Sequence, residues 1–196
     1  MTITRSLLLL CLAGTHLAAQ SPERTIPDGV VREGNLSFDG RATAGNFTGR
    51  TSTVTGALHG GALSQVRGWV EAPVRTLATG NRRRDRDLNK SMESGKYPTI
   101  RFELTHVAGA TAGGDSLDLI LHGRFIIHGV TREATVPASV AFRAEGIRVR
   151  GATRLNLKDY KIGGLSKGLG LFRMHEEILV HLDLLFGTAP SQQAVH

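Results

Sequence analysis

The histidine and glutamate residues of this sequence invite a search for a metal site. His175-Glu176-Glu177 begins like a helical zinc motif, but no second histidine follows at the required four-residue spacing. His122 and His128 are six residues apart on a predicted strand and its end. We therefore expect these histidines to be packed or solvated, and we predict no metal ligands.

The residues that serve as acids, bases and nucleophiles also lack the spacing of an active site. Asp85 and Asp87 could form a carboxylate pair, but Arg84 and Arg86 surround them, which favours a salt-bridged surface. The single cysteine is Cys11, and the sequence has neither a Gly-x-Ser-x-Gly elbow nor a Gly-rich phosphate loop followed by Lys-Ser or Lys-Thr. We predict no catalytic residue and no cofactor.

The strongest chemical feature is a cluster of four arginines, Arg82, Arg83, Arg84 and Arg86, in a chain with a formal net charge of +7. Aspartates are interleaved with the arginines and no aromatic residue stands nearby to stack on bases, so we do not expect nucleic-acid binding. The cluster is either a solvated surface loop or a cationic rim that contacts a lipid head group or an anionic membrane surface. Composition leaves both interpretations open.

The two ends of the chain differ in character from its middle. Residues 1–19 have the order of a secretory signal peptide, with Arg5, then four consecutive leucines, then Leu17-Ala18-Ala19. We therefore predict cleavage near Ala19 and a periplasmic or secreted location. Residues 20–187 suit a single domain, and the polar residues 188–196 are expected to form a flexible tail.

Alternation of apolar and polar residues dominates the second half of the chain. One apolar and one polar face is typical of antiparallel strands that bury one side, and many short strands between glycine-rich turns predict an all-β barrel or sandwich. We expect the following residues to face the interior: Ile100, Phe102, Leu104, Leu119, Leu121, Phe125, Val140, Phe142, Val180, Leu182 and Leu184.

One stretch has the pattern of a helix. Asp85 could cap a helix over residues 86–94, Leu88 and Met92 fall on one face, and Gly95 suits the C-terminal cap. Pro98 prevents its continuation. The arginine cluster therefore lies in or beside a short helix inserted between strands.

Four segments of the sequence resemble segments of the YceI-like family of exported bacterial lipid-binding proteins. They are TGNRRRDRDL, KYPTIRFELT, IIHGVTREATVP and LKDYKIGG, and they occur in the family's order. The resemblance extends from about Val30 to Phe186. Three positions differ from the family's pattern, since Asp87 stands in place of His, Glu133 in place of Pro and Lys161 in place of Gly.

The resemblance implies an eight-stranded, lipocalin-like antiparallel barrel that holds a polyisoprenoid or similar long-chain lipid in an apolar cavity. The inward-facing residues named above would then contact the ligand, and the arginine cluster would lie at the barrel wall or mouth. The protein would be a binding protein and not an enzyme. The sequence leaves its oligomeric state open, a homodimer included.

A second interpretation keeps the barrel but fills it. A ligand-free, stress-related interaction module would need large inward side chains that pack against one another. Gly123, Ala138, Gly151 and Ala152 lie on predicted strands and aromatic residues make up only 5% of the chain, which favours a hollow interior.

Overall fold

The computed structural model describes residues 25–43, 45–113, 116–163, 166–167 and 172–187. Within these ranges lie one α-helix, α1 (Arg82–Ser91), and eleven strands. The strands are β1 (Gly29–Gly40), β2 (Phe47–Thr51), β3 (Thr55–His59), β4 (Arg67–Pro73), β5 (Thr99–Gly113), β6 (Ser116–Ile127), β7 (Val130–Arg143), β8 (Gly146–Asn156), β9 (Ser166–Lys167), β10 (Phe172–Arg173) and β11 (Glu177–Gly187). The predicted signal peptide and the predicted tail lie outside the described residues.

Eight strands form a closed antiparallel barrel. The strands β11, β8, β7, β6, β5, β4, β3 and β1 are neighbours in this order, and β1 pairs again with β11 to close the ring. β3 pairs with the first residues of β1, while β2 pairs with the last ones, from Leu36 opposite Thr51 to Gly40 opposite Phe47. The predicted all-β barrel with one inserted helix is confirmed, and β2 is an extra strand beside it.

The alternation in the sequence sets which side chains enter the barrel. In β6, Leu117, Leu119 and Leu121 are buried whereas Asp118 and Ile120 are exposed. Successive side chains of a strand point to opposite faces, so each strand contributes every second residue to the interior. In the described part of the chain, no helix is long and apolar enough to cross a membrane.

Ion pairs join neighbouring strands on the outer face. Asp183 of β11 accepts hydrogen bonds from Nε of Arg148 at 2.6 Å and from Nε of Arg150 at 3.0 Å, both on β8. Hydrogen bonding to Arg148, and then to Arg150, lowers the pKa of Asp183 despite its partial burial. Glu103 of β5 likewise accepts from Arg124 of β6 at 2.8 Å, and this hydrogen bond is the main cause of its lowered pKa. These pairs reinforce the strand registers from outside.

Candidate functional site

An apolar cavity of about 480 Å³ occupies the half of the barrel that α1 adjoins. Its wall consists mainly of aliphatic and aromatic side chains from β1, β4, β5, β6, β8 and β11. Six residues that the sequence predicts as ligand contacts line it: Ile100, Phe102, Phe125, Val180, Leu182 and Leu184. We call this part of the barrel the hollow half.

The opposite half of the barrel is filled by its own side chains. The other five predicted contact residues lie there and do not line the cavity: Leu104, Leu119, Leu121, Val140 and Phe142. Val136, which pairs with Leu121 in the register of β6 and β7, is fully buried among them. We call this part the filled half. Leu119, Leu121 and Val140 are buried in this core, so a ligand could reach them only if the core opened.

Two phenylalanine rings mark the boundary between the halves. Phe102 and Phe125 lie opposite each other on β5 and β6, with their ring centroids 4.8 Å apart. The ring of Phe102 lies against Gly123, where an added Cβ would come within 2.6 Å of Cζ of Phe102. Gly123 therefore provides the space that this ring needs, and the two rings close the inner end of the cavity.

The small residues that favoured a hollow interior do not line the cavity. At Gly151, an added Cβ would lie 2.9 Å from the carbonyl oxygen of Pro137 and 3.0 Å from Cγ1 of Val136. Ala138 is buried in the same region. These small side chains permit close packing in the filled half. The hollow half instead lies where inward side chains from opposite walls of the barrel do not contact one another.

The helix α1 begins and ends earlier than the sequence predicted, because Asn81 and not Asp85 is its N-cap. The Oδ1 atom of Asn81 accepts hydrogen bonds from the backbone N–H groups of Arg83 and Arg84 at 3.0 and 3.1 Å. Asp85 instead accepts from the backbone N–H and the hydroxyl of Thr79, at 2.8 and 2.6 Å. The helix ends at Ser91, before the predicted Gly95 cap, and Glu93 adopts a positive φ of 44°.

Helix α1 places both apolar and cationic side chains at the mouth of the cavity. Leu88 and Met92 line the cavity, as do Asn81, Asp87 and Ser91. Four residues apart, Leu88 and Met92 share one helix face, so the amphipathic pattern directs this face toward the barrel. The mouth therefore combines an apolar surface with groups that can contact a polar head.

The four clustered arginines divide into two pairs. Arg83 and Arg84 line the cavity, whereas Arg82 and Arg86 do not. Arg84 is half-buried, and the other three are exposed. The guanidinium carbon of Arg84 lies 4.3 Å from the ring centroid of Phe47, which is a cation–π contact. This contact holds the Arg84 side chain at the mouth.

The sequence interpretation missed the wall formed by the first strands, where alternation is broken: Leu36, Phe38, Phe47, Val54 and Val70. A signal was present in two Phe-x-Gly triplets, at residues 38–40 and 47–49. Phe38 pairs with Gly49 and Gly40 with Phe47 across β1 and β2. Each ring lies against the opposite glycine, because an added Cβ would be 2.3 Å from Phe38 or 2.5 Å from Phe47.

The tyrosines and the His-Gly pair of the family-like segments meet beside the mouth. His128 and Gly129 form the turn between β6 and β7, with positive φ values of 53° and 72°. Nδ1 of His128 donates to the carbonyl oxygen of Tyr160 at 3.0 Å. The His128 ring packs against the ring of Tyr97, with their centroids 4.6 Å apart. An added Cβ at Gly129 would lie 2.5 Å from Tyr97. These residues fix the turn.

The other histidines within the described ranges lie on the outside of the barrel. The rings of His106 and His122 stack across β5 and β6 with centroids 4.2 Å apart, and His175 is exposed. Among the described residues, no group of three or more His, Cys, Asp or Glu side chains is arranged to hold a metal ion.

A closed antiparallel barrel with an apolar cavity inside it defines a class of proteins that bind small apolar ligands. Within this class, the family model for the YceI-like domain matches residues 31–186. The chain belongs to the YceI-like family. The YceI-like family is a family of binding proteins.

Solved structures with the same fold share little sequence with this chain. BcnA of Burkholderia cenocepacia has a TM-score of 0.65 at 16% identity, covering 77% of this chain and 94% of BcnA. A polyisoprenoid binding domain from Saccharophagus degradans, implicated in plant cell wall breakdown, has a TM-score of 0.67 at 14% identity. The match covers 84% of this chain and 99% of that domain. A YceI protein of Campylobacter jejuni has a TM-score of 0.56 at 16% identity, and the match covers 72% of this chain and 85% of that protein. No curated protein sequence matches the chain significantly.

Proposed function

We propose that this protein binds the chain of a polyisoprenoid or similar long-chain lipid in the hollow half of the barrel. The observation that carries the proposal is an apolar cavity of about 480 Å³ within a barrel whose other half is packed. Each buried CH₂ contributes about 0.8 kcal/mol, so ten of them contribute about 8 kcal/mol before the costs of association and ordering. The binding of a polyisoprenoid by a domain of the same fold supports this ligand class.

We further propose that the mouth binds the polar end of the lipid. Arg83, Arg84 and Asn81 line the outer part of the cavity wall contributed by α1. Guanidinium groups bind phosphate or carboxylate oxygens with paired hydrogen bonds. The exposed Arg82 and Arg86 are suited to contact an anionic membrane surface during loading or release.

The alternative of a ligand-free interaction module rests on a filled barrel. Only the filled half meets that requirement, because the wall of the hollow half encloses space that its own side chains leave empty. The cavity therefore favours the binding function over the interaction module.

Export is part of the proposal. It rests on the signal-like order of residues 1–19, and N-terminal sequencing of the native protein should begin within a few residues of Gln20. A native protein that still begins at Met1, or one with a lipid on Cys11, would contradict it.

Mass spectrometry of an organic extract tests the binding function directly. The protein purified without detergent should release a long-chain lipid, and the delipidated protein should take up a fatty-acyl or prenyl probe in stoichiometric amounts. Val180→Trp, which places an indole in part of the cavity, serves as the control and should take up less. A wild-type protein that yields no lipid and takes up no probe would support the interaction module instead.

A further inference from the structure

The cavity has a defined inner end. On β5 its lining stops at Phe102, and the next inward residue, Leu104, belongs to the filled half. On β11 it stops at Leu184, and Phe186 follows in the filled half. A chain that enters at α1 therefore meets Phe102, Phe125 and Leu184 at the bottom.

This inner end is firmly supported from below. Phe102 and Phe125 are each 8% exposed, and the Phe102 ring occupies the space that the absent side chain of Gly123 leaves. Val136 behind them is fully buried. A closely packed interior resists the insertion of further atoms, so a chain cannot extend past the rings without displacing the core.

The volume of the cavity converts to a chain length. An apolar protein cavity of about 150 Å³ holds one benzene, so a packed carbon atom takes about 25 Å³. A cavity of about 480 Å³ then holds about 20 carbons. A chain twice as long would leave half of its carbons outside the barrel.

We propose that the barrel binds at most about 20 carbons of a single lipid chain, with Phe102 and Phe125 as the residues that set this limit. This inference rests on the proposed function and specifies its ligand. Each CH₂ that enters the cavity tightens binding up to about fourfold, whereas a CH₂ outside the mouth adds nothing. Affinity should rise with chain length and then stay constant.

A chain-length series tests the limit. The delipidated full-length protein is titrated with prenols of ten, fifteen, twenty and forty carbons, and affinity is measured by displacement of a fluorescent fatty-acyl probe. The wild-type affinity should rise up to about 20 carbons and change less than about twofold beyond that length.

Phe102→Ala moves the limit. The substitution removes the six ring carbons and adds about 100 Å³, so the affinity should continue to rise for about four further carbons. Phe186→Ala is the matched control, because it removes the same ring from an equally buried position in the filled half. It should leave the limit where it is. If Phe102→Ala does not fold, Phe102→Leu adds about 25 Å³ and should still move the limit by about one carbon, which is up to about fourfold in the affinity for the forty-carbon prenol.

Each outcome decides the inference. Affinity that keeps rising to forty carbons in the wild type, or a limit that does not move in the Phe102 variants, overturns it while the proposed function stands. Absence of binding by every chain overturns the proposed function and this inference with it.

Discussion

The two halves of one barrel are built from the same strands, and yet one is filled and the other is hollow. β6 contributes Leu119 and Leu121 to the filled half and Phe125 and Ile127 to the hollow half, with the same alternation throughout. Alternation determines which side chains face inward. It does not determine whether side chains from opposite walls meet. That depends on distances across the barrel and on what closes each end.

The ends of the barrel are closed differently. At the filled end, Val66 and Ile26 are buried in the core, and Ile26 is hydrogen-bonded with Gly61 in both directions at 2.9 and 2.7 Å. At the hollow end, the helix α1 lies over the cavity through Leu88 and Met92. Backbone pairing closes one end and a surface helix covers the other, so we expect a ligand to enter beneath α1.

The largest expected effect comes from a matched pair of tryptophan substitutions. The sequence alone places Val140 and Val180 in one group, but Val140 lies in the filled half and Val180 lines the cavity. Val140→Trp should lower the free energy of unfolding by about 1–3 kcal/mol or more, because a filled core must move to admit the indole. Val180→Trp should unfold at nearly the wild-type urea concentration and should bind a fatty-acyl probe more weakly.

The opposite outcome is that Val140→Trp and Val180→Trp lower the free energy of unfolding by the same amount. That result would show that the hollow half is packed in solution. Equal probe affinity in the wild type and Val180→Trp would show that the ligand does not occupy this part of the wall.

A smaller effect is expected from the carboxylates on the outer face. Asp183 lies on β11 between Leu182 and Leu184, where the cavity ends, and it bonds with Arg148 and Arg150 of β8. Hydrogen bonding lowers its pKa. Because the folded pKa lies below the value of about 3.9 in the unfolded chain, this stabilisation is complete above about pH 5 and is lost as the pH falls through the folded pKa. Asp183→Asn should lower the free energy of unfolding at pH 7 by up to about 1 kcal/mol and should change it much less at pH 2–3.

Asp39 provides the matched position beside the hollow half. Hydrogen bonds from Thr48 and then from His181 lower its pKa, but its side chain is 49% exposed against 31% for Asp183. Asp39→Asn should therefore cost less than Asp183→Asn in urea unfolding at pH 7. The opposite order would mean that the exposed fraction of the carboxylate does not determine what these outer ion pairs contribute to stability.

The smallest effect on stability is expected at the mouth of the hollow half. Replacing Arg82 and Arg86 by Gln should leave the melting temperature unchanged and should weaken binding to anionic vesicles at low salt. Replacing Arg83 and Arg84 should instead weaken the uptake of a lipid with an anionic head, and should cost a few tenths of a kcal/mol from the contact of Arg84 with Phe47. Neutral prenols should bind both double variants equally.

Identical behaviour of the two double variants would assign all four arginines to the same surface role. The assignment of Arg83 and Arg84 to the polar end of the lipid would then be wrong, while the assignment of the cavity wall would be unaffected.

Sequence reasoning reached the strands and the barrel, and six of the eleven predicted ligand contacts line the cavity. Period-two alternation is a local property, so Ile100, Phe102 and Val180 could be placed inside without a structure. The wall around Phe38 and Phe47 was missed because each ring depends on a glycine of the paired strand, which a single-strand pattern does not show. The sequence predicted Asp85 as the N-cap of α1, but Asn81 also has a cap-forming side chain. The hydrogen bond from Thr79 to Asp85, which the sequence does not show, leaves the cap to Asn81.

Closure of the barrel between β1 and β11 has a consequence for the order in which the chain can fold. Residues 29–40 find their final partner only among residues 177–187, so the ring cannot close before the last strand has been synthesised. The β5–β8 meander, in contrast, pairs strands that follow one another in the chain. Pairing across so long a stretch carries a large loop-closure entropy and a high contact order, both of which slow folding. Until that step, β1 and β11 each keep an unpaired edge at which another chain could add.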